Sequence, residues 1–470
     1  MRQIHQNLYL IIFTFSVFWS CQTPTESDYK ESEWLDIEVS ENGRFFQYEN
    51  GDPFFWLGDT GWLLFKKLDR NEAEQYLEKR KQQGFNVVQV MLLHELGVAS
   101  FQGNSALING DISRPNVTQG SNPENEEEYD YWDHVEYIVD LAAEKGIFMG
   151  LVPVWGSPVS ADKVSVEAAT VYAQFLVERF ASKPNIIWLN GGDVVGDRHM
   201  PVWQAIGNTL DSLDDRHLIT YHPRGRRMSS EWFHNETWLD FNMFQSGHRT
   251  YDQDTARDSH RFGPDNWKYV DREYSMKPFK PTLDGEPSYE EIPYGLHDPS
   301  NPYWEDHDLR RYAYWSVFAG GAGFTYGHNS VMQFYNEGDE KKAYGAKSDW
   351  RKALDYLGAE QMRYLKDLML SKSYFDRVPD KALVADQGKR YEYQVGTKGK
   401  RYALIYTYTG RDILANMGRI EGEKVSASWF DPRTGSIQAI GVFDNQGQIS
   451  FDPPGEPENG NDWVLVLESI

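Results

Sequence analysis

The sequence of 470 residues has one cysteine and comparatively few basic side chains. Cys21 has no second cysteine to pair with, so an intrachain disulfide is excluded. Lysine and arginine number 47 against 71 aspartates and glutamates, and the formal net charge is -24 at pH 7. Nucleic-acid-binding proteins present a basic patch or stripe to the phosphate backbone. The charge balance therefore argues against a nucleic-acid partner.

Long apolar runs are also scarce. The run Leu8–Trp19 is shorter than the roughly 20 residues that a membrane-spanning helix needs, and it follows a basic start. This pattern predicts a secretory signal over residues 1–20. Cys21, directly after a serine, resembles the lipidated cysteine of bacterial lipoproteins, although Phe18 stands where leucine is usual. We expect an exported chain, anchored to the bacterial cell envelope by a lipid on Cys21 and a tether over residues 21–36; secretion without a lipid is the alternative.

Aromatic residues, in contrast, are plentiful, with 16 tryptophans and 28 tyrosines. Many aromatics combined with few cations suit a neutral ligand such as a sugar. The length is large for one hydrophobic core and favours two domains.

Two regions with different patterns follow one another along the chain. Eight short apolar runs are predicted to be strands: Phe54–Asp59, Phe85–Leu92, Ile147–Val154, Asn185–Asp193, Leu218–Tyr221, Leu239–Gln245, Pro281–Leu283 and Gly323–Tyr326. They alternate with segments of helical periodicity, which predicts a (β/α)8 TIM barrel over residues 37–372. Strands without intervening helices come afterwards, and they predict a small antiparallel β-sandwich over residues 373–470.

Polar and aromatic side chains occur at or just beyond nearly every predicted strand end. Active sites of such barrels lie at the carboxyl ends of the strands, so these residues are expected to form one site. The candidate substrate-binding residues are Asp59, Trp62, His94, Glu95, Trp155, Asn190, His222, Arg224, Gln245, His248 and His328. Trp62 and Trp155 are the candidate aromatic platforms.

Asp193 and Glu286 are the candidate catalytic pair. Asp193 follows two glycines at the end of the fourth predicted apolar run, where we expect it at the start of a turn, and Glu286 follows Asp284-Gly285 after the seventh. Two carboxylates facing each other across a cleft are what acetal hydrolysis requires, one protonated and one ionised. The alternatives are a helix N-cap for Asp193 and a structural ion pair for Glu286.

Four motifs carry a family resemblance that covers about Val39 to Leu370. They are Phe54–Trp62, Tyr76–Arg80 with Gly84–Gln89, Trp188–Asp193 and Asp284–Pro287. They resemble the apiosidase-like glycoside hydrolases (family 140), and the segment Trp429–Gly435 resembles the β-domain, labelled collagen-binding, that usually follows. The resemblance implies a retaining hydrolase that acts on apiose-containing side chains of the pectin rhamnogalacturonan II. It implies Asp193 as acid/base and Glu286 as nucleophile. We also expect no cofactor and a monomeric chain.

Two other function classes stay open. His94, His222, His248 and His328 could converge on a metal in a metal-dependent hydrolase, although no His-x-His or His-Glu-x-x-His spacing occurs. A non-catalytic surface glycan-binding protein would use the aromatic platforms and would not need the carboxylate pair.

One basic cluster follows the fifth predicted strand: Arg224, Arg226 and Arg227. Because arginine binds carboxylates through two parallel hydrogen bonds, this cluster is a candidate for binding the galacturonate of pectin. The alternative is a solvated loop whose arginines balance nearby acidic residues.

Overall fold

The computed structural model describes residues 34–125, 127–255 and 261–470. Cys21, the predicted signal segment and residues 21–33 of the predicted tether lie outside these residues. In the part of the chain that the model describes, no helix is both long and apolar enough to cross a membrane.

The secondary-structure elements follow in chain order. The strands are β1 (Ile37–Val39), β2 (Phe46–Tyr48), β3 (Pro53–Phe54), β4 (Trp56–Thr60), β5 (Val87–Met91), β6 (Phe148–Val152), β7 (Ile186–Val194), β8 (Ile219–Pro223), β9 (Arg227–Met228), β10 (Asn242–Gln245), β11 (Thr282–Asp284), β12 (Gly323–Thr325), β13 (Val378–Pro379), β14 (Val395–Lys398), β15 (Tyr402–Thr407), β16 (Ile413–Asn416), β17 (Lys424–Phe430), β18 (Ile437–Asp444), β19 (Gln448–Phe451) and β20 (Trp463–Ser469). The helices are α1 (Leu64–Lys67), α2 (Arg70–Gln82), α3 (Tyr131–Glu144), α4 (Gly156–Ser160), α5 (Val166–Phe180), α6 (Met200–Leu213), α7 (Ser230–Phe233), α8 (Trp267–Tyr274), α9 (Asp306–Phe318), α10 (Asn329–Met332), α11 (Trp350–Ala353) and α12 (Leu357–Leu370). Short 3-10 helices cover Ile108–Gly110, Lys381–Leu383 and Arg390–Glu392.

Eight parallel strands form the predicted barrel, which is confirmed. Their order around the sheet is β8-β7-β6-β5-β4-β12-β11-β10, and β9 adds to β10 as an antiparallel edge. β8 and β10 do not pair as regular strands, and the barrel is closed between them by other hydrogen bonds. The Asp240 amide donates to the Ile219 carbonyl at 2.9 Å, and the Thr220 hydroxyl donates to the Phe241 carbonyl at 2.6 Å. Side chains therefore contribute to closing the barrel where the strands diverge.

The barrel strands are buried on both faces, as their continuous apolar runs predict. All five residues of β4 and all five of β6 are buried. Asp69 and Glu72 form a capping box at the start of α2, with the Glu72 amide donating to Asp69 Oδ1 at 2.8 Å.

A small N-terminal sheet covers the bottom of the barrel. β1, β2 and β3 form it, with a turn at Asn50-Gly51 between β2 and β3. Phe46 packs edge-on against Phe241 at 5.0 Å between ring centroids, and Phe54 packs against Phe148 at 5.4 Å. Both partners lie at the amino ends of barrel strands, so the opposite end of the barrel stays open for a site.

The C-terminal part is antiparallel, as predicted. A six-stranded sheet has the order β13-β14-β15-β20-β17-β18, and β16 pairs with β19 in a second sheet. Apolar side chains from both sheets, including Ile405, Ile413 and Leu465, form a core of their own. Arg310 of α9 contacts Asp462 of the β-domain at 2.9 Å, and these side chains are 2% and 0% exposed. A buried ion pair therefore connects the two domains.

Candidate active site

A cavity of about 900 Å³ opens at the carboxyl ends of the barrel strands. Eight of the predicted site residues line it: Trp62, His94, Trp155, Asp193, Arg224, Gln245, His248 and Glu286. His222 is fully buried and packs its ring against the cavity wall. The structure therefore brings together side chains from seven strand ends that are far apart in the sequence.

Glu286 lies just beyond β11, in the floor of the cavity, and is only 7% exposed. His248 Nε2 lies 3.3 Å from Glu286 Oε1, and His222 Nε2 lies 3.3 Å from Glu286 Oε2. The second contact is at hydrogen-bond distance but is poorly aligned, so Oε2 has no well-formed hydrogen bond among the described residues. This buried oxygen therefore has unused capacity to accept a hydrogen bond.

The backbone before Glu286 is fixed by neighbouring strands. The Gly285 amide donates to the Phe244 carbonyl at 2.8 Å, and the Gln89 side-chain amide donates to the Gly285 carbonyl at 2.7 Å. A Cβ at Gly285 would lie 2.4 Å from the sulfur of Met243. Glycine is therefore required for the close approach of β11 and β10 beneath Glu286.

Two opposing effects set the charge of Glu286. Burial favours the neutral acid, but the interactions with the nearby His222 and His248 rings outweigh it. Together they lower the pKa of Glu286 to about 2. Glu286 is therefore an anion throughout the physiological pH range.

Asp193 lies at a bulge near the end of β7, which corrects the expectation that it sits on the following turn. The strand continues to Val194, and its pairing with β8 shifts register between Gly191 and Val194. Gly191, Gly192 and Asp193 all have positive φ angles, 91°, 124° and 53°. The bulge keeps strand pairing while it turns the carboxylate into the cavity.

The two glycines before Asp193 allow close packing of the cavity wall. A Cβ at Gly192 would lie 2.7 Å from the Trp155 ring, and one at Gly191 would lie 2.7 Å from the His222 carbonyl. Asp193 is also not a helix cap, because the N-cap of the following helix α6 is His199. Its Oδ1 instead accepts a hydrogen bond from the Gly225 amide at 3.3 Å.

The protonation of Asp193 differs from that of Glu286. Asp193 is accessible to solvent through the cavity mouth, yet protein atoms surround it closely. This partial burial, followed by the negative charge of Glu286, raises the pKa of Asp193 to about 6. The opposing attractions of the Gly225 amide, His222 and Arg224 are smaller. Asp193 can therefore carry a proton under mildly acidic conditions, when Glu286 cannot.

Aromatic rings form one wall beside the pair. Trp62 and Trp155 lie 5.3 Å apart between ring centroids, and both contact the His222 ring. The Trp62 indole donates to the Tyr289 hydroxyl at 3.1 Å. Gln245 lines the same cavity and is 3% exposed, and its Oε1 has no hydrogen-bond partner among the described residues. Apolar faces next to such unpaired polar atoms suit the alternating faces and hydroxyls of a sugar.

Asp59 is one of the predicted site residues that the structure places elsewhere. It is fully buried, its Oδ2 contacts Arg80 Nε at 2.6 Å, and it accepts a hydrogen bond from the Tyr76 hydroxyl at 2.6 Å. Both partners come from α2, so Asp59 holds this helix against β4. The sequence could not distinguish this structural role from substrate binding, because Asp59 occurs at a strand end just as the cavity residues do.

Asn190 and His328 are also corrected from site residues to structural ones. The Asn190 side chain donates to the Trp203 carbonyl at 2.8 Å and accepts from the Gly191 amide at 2.9 Å. His328 Nδ1 accepts from the Ser330 amide at 3.0 Å at the start of α10. Both side chains are fully buried and neither lines the cavity. Burial lowers the pKa of His328 to about 3, so this ring is neutral.

Glu95 and the arginine cluster are placed in part as expected. Glu95 does not line the cavity but lies 3.1 Å from His94 and 3.2 Å from Lys66, which do. Arg227 turns away to Glu231 at 2.5 Å. Arg224 and Arg226 line the cavity, and Arg226 is paired with Asp254.

Sequence reasoning missed several residues of the cavity. Tyr289 contacts both Trp62 and His248, and it follows Glu286 by three residues. Tyr344 lies close enough to the pair for the charges of Glu286 and Asp193, after burial, to raise its pKa. Lys341 and Lys342 come from the same loop as Tyr344. None of these loop residues has a periodicity that could have marked it, although Tyr289 could have been found from its position next to Glu286.

The four histidines of the metal hypothesis do not converge. His222 and His248 contact Glu286, His94 contacts Lys66, and His328 caps α10. Within residues 34–125, 127–255 and 261–470, no group of three or more His, Cys, Asp or Glu side chains could hold a metal ion.

A parallel eight-stranded barrel with two carboxyls at its carboxyl end, whose pKa values are shifted in opposite directions, suits the chemistry of a glycoside hydrolase. The family model of the apiosidase-like catalytic domain matches residues 40–376. This chain belongs to that family and is a glycosidase. A second model, "Putative collagen-binding domain of a collagenase", matches residues 378–468.

Solved structures agree with this assignment. A structure titled "Glycoside hydrolase" is 46% identical over 92% of this chain and 97% of its own, with a TM-score of 0.87. A glycoside hydrolase family 5 structure from Bacteroides vulgatus is 42% identical over 92% of this chain and 94% of its own, with the same TM-score of 0.87. A third glycoside hydrolase structure from that organism shares the fold at 14% identity and a TM-score of 0.63, over 94% of this chain and 83% of its own. No curated protein matches the chain.

Proposed function

We propose that this glycosidase is a retaining enzyme in which Glu286 is the nucleophile and Asp193 the acid/base. The observation that carries the two roles is the opposite shift of the two pKa values, and retention is what the family resemblance implies. Two histidines keep Glu286 ionised, whereas burial and the Glu286 charge raise the pKa of Asp193 to about 6, so that it can carry a proton under mildly acidic conditions. These are the two protonation states that the first step of a retaining reaction needs.

The reaction follows from these states. Glu286 attacks the anomeric carbon while Asp193 donates its proton to the departing glycosidic oxygen, and a covalent glycosyl–enzyme intermediate forms. Asp193, now ionised, then takes a proton from water, and the water oxygen attacks the anomeric carbon and releases Glu286. The Gly225 amide hydrogen-bonds the anionic form of Asp193 between the two steps.

We propose a pectic substrate with apiose-containing side chains, as the family resemblance implies. Arg224 supports an acidic sugar next to the reacting bond. It follows β8, its charge acts on Asp193, and no carboxylate pairs with it among the described residues. Trp62 and Trp155 provide faces for the sugar rings.

The test is sugar release from a pectin panel, with products identified. The wild-type enzyme should release apiose or an apiose-containing oligosaccharide from rhamnogalacturonan II, and NMR of the first product should show the anomeric configuration of the substrate. An inverted first product would contradict the nucleophile role of Glu286. Release from neutral glycans alone would contradict the pectic substrate.

Arg224 has its own test on the same substrates. Arg224→Ala should weaken hydrolysis of an acidic pectic oligosaccharide and leave an aryl glycoside of a neutral sugar almost unaffected. Arg227→Ala is the matched control, because Arg227 belongs to the same cluster but pairs with Glu231 outside the cavity. Equal losses on both substrates would mean that Arg224 supports the loop instead.

We further propose that the enzyme is exported and attached to the cell envelope through Cys21. This residue lies outside the described residues, and the proposal is supported by the sequence pattern alone. Cys21→Ala should move the enzyme from the membrane fraction to the soluble periplasmic fraction. Unchanged membrane fractionation would refute lipid anchoring at this residue.

A further inference from the structure

Basic residues outnumber acidic ones in the cavity lining, whereas acidic residues outnumber basic ones in the whole chain. The chain has 47 basic and 71 acidic side chains, yet the cavity is lined by seven basic residues and two acidic ones. The two acids are Asp193 and Glu286, the proposed catalytic pair. A cleft lined by one sign of charge concentrates ligands of the other sign, even when the net charge of the protein repels them.

The seven cations form two groups on different walls. The arginine group consists of Arg224, Arg226 and Arg249, which follow β8 and β10. The lysine group consists of Lys66, Lys67, Lys341 and Lys342, which follow β4 and β12. In the strand order β8-β7-β6-β5-β4-β12-β11-β10, β4 lies four strands from β8, and β12 lies two strands from β10. Lys66 and Lys67 therefore lie across the barrel mouth from Arg224 and Arg226, and Lys341 and Lys342 lie on the wall beside them.

Part of the lysine group already has acidic partners. Lys66 contacts Glu95 at 3.2 Å, and Lys67 contacts Asp339 at 2.7 Å. Lys341 and Lys342 pair with no carboxylate among the described residues, and both are exposed at the cavity rim. With these two pairs neutral and Glu340 directly before Lys341, the lysine group keeps an excess of one positive charge.

The loop that carries Lys341 and Lys342 is held in place at its base. The Ala343 amide donates to Gln333 Oε1 at 2.8 Å, and Gln333 Nε2 donates back to the Ala343 carbonyl at 3.1 Å. The Asn329 side chain donates to the Tyr344 carbonyl at 2.8 Å. These contacts anchor the residues directly after the two lysines to α10, which limits the positions that the ammonium groups can reach.

We propose that the lysine group binds a second carboxylate of the substrate, so that the glycan presents acidic sugars to both walls of the cavity. This inference rests on the glycosidase function proposed above and adds a recognition site that the arginine cluster does not provide. A neutral glycan would use neither wall, whereas a glycan with one acidic unit would use only one. The substrate class is therefore an oligosaccharide with at least two uronate units.

The inference can be tested by binding without turnover. In a Glu286→Gln background, isothermal titration calorimetry would measure the affinity for trigalacturonate and for its fully methyl-esterified form, which has the same length and no charge. The test variants are the double variant Lys341→Ala with Lys342→Ala, the single variant Arg224→Ala, and the three changes together. Lys352→Ala is the matched control, because this exposed lysine pairs with Glu337 outside the cavity.

The double lysine variant should bind the acid about fivefold to tenfold more weakly and bind the ester as before, since partly exposed ion pairs each contribute up to about 1 kcal/mol. The losses from the lysine changes and from Arg224→Ala should multiply in the triple variant, because the groups lie on different walls. Salt at about 0.5 M should reduce the preference for the acid.

The inference would be overturned if the Glu286→Gln protein bound trigalacturonate and its methyl ester with equal affinity. It would also be overturned if the double lysine variant lost affinity for both ligands equally. These outcomes are separable from failure of the proposed function. An enzyme that cleaves pectic oligosaccharides without this charge preference refutes the lysine site alone. If the enzyme prefers the acid over the ester but does not hydrolyse pectic oligosaccharides, the lysine site stands and the proposed substrate is refuted.

Discussion

The two carboxylates of the cavity stand at similar strand ends but in different surroundings. Asp193 lies on a backbone bulge, open to the cavity mouth, with one backbone amide as its hydrogen-bond donor. Glu286 lies beneath the cavity between two imidazoles. The result is a pKa raised to about 6 for Asp193 and lowered to about 2 for Glu286.

This contrast shows where the chemical role of a carboxylate is determined. Both residues follow a short apolar strand and a glycine, so their local sequences are nearly interchangeable. Their partners come from other strands, β8 and β10 for Glu286 and the residues just beyond β8 for Asp193. The division of labour between acid and nucleophile therefore arises from tertiary neighbours.

Removal of Glu286 should have the largest effect. Glu286→Ala cannot form the covalent intermediate, and we expect the turnover rate to fall on the order of 10⁴-fold to 10⁶-fold. Steady-state kinetics on a pectic oligosaccharide would measure this loss, and circular dichroism would check the fold. Near-normal turnover in the folded variant would show that Glu286 is not the nucleophile, despite the difference in pKa between the two carboxyls.

Removal of Asp193 should have a smaller effect that depends on the leaving group. With a natural sugar leaving group, Asp193→Ala should lose roughly 10²-fold to 10⁴-fold, because acid assistance is absent. With an activated aryl glycoside the loss should be far smaller, and azide should restore part of the rate by replacing the activated water. A loss that is the same for good and poor leaving groups would contradict the role of acid.

Asp59 extends the comparison to a strand-end carboxylate outside the cavity. Asp59→Ala leaves the buried Arg80 without its counter-charge, and we expect the free energy of unfolding to fall by about 3–5 kcal/mol. Denaturant unfolding would measure this, with the exposed Asp355→Ala as a control of small effect. The folded fraction should keep its turnover rate on an aryl glycoside. A loss of turnover in the folded protein would show that Asp59 acts in the active site after all.

The pH profile tests the pKa values directly. As pH rises above about 6, Asp193 loses its proton, so kcat/KM should fall on the alkaline side. Glu286 stays ionised down to about pH 2, so the acidic limb should lie well below pH 4 in a range limited by stability. Asp193→Ala, assayed on an activated aryl glycoside, should lack the alkaline limb. An alkaline limb that survives in this variant belongs to another group.

The smallest expected effect concerns the histidines beside Glu286. His248→Ala removes one hydrogen bond to the Glu286 anion, which should raise the pKa of Glu286 and move the acidic limb upward by about one pH unit. The alkaline limb should stay in place. If both limbs moved together, His248 would act on the fold of the cavity and not on Glu286 alone.

Much of the fold was predictable because its signals are local. The eight strands end within a few residues of their predicted positions, since buried parallel strands are short apolar runs. The capping box at Asp69 and the change to strands after α12 were equally readable. The seam between β8 and β10 was not, because it depends on contacts between side chains and backbone that no periodicity encodes.

The site was predictable only in part, and the errors have one cause. Asp59, Asn190 and His328 stand at strand ends like the residues that line the cavity, but their side chains turn to α2, α6 and α10. The direction in which each of these side chains points depends on the helix that packs outside its strand. Lys341, Lys342 and Tyr344 were missed because they lie in an irregular loop whose position is set by Gln333 and Asn329.

The buried pair of Arg310 and Asp462 bears on how this enzyme can be divided. A barrel produced without its β-domain would lose the 0% exposed Asp462 and keep Asp306, 2.6 Å from Arg310, as the remaining counter-ion. Removal of one partner of a buried ion pair costs up to about 3–5 kcal/mol, and Asp306 offsets part of this cost. Although separate family models describe the two parts, we expect a domain swap to succeed best when the arginine and the aspartate are transferred together.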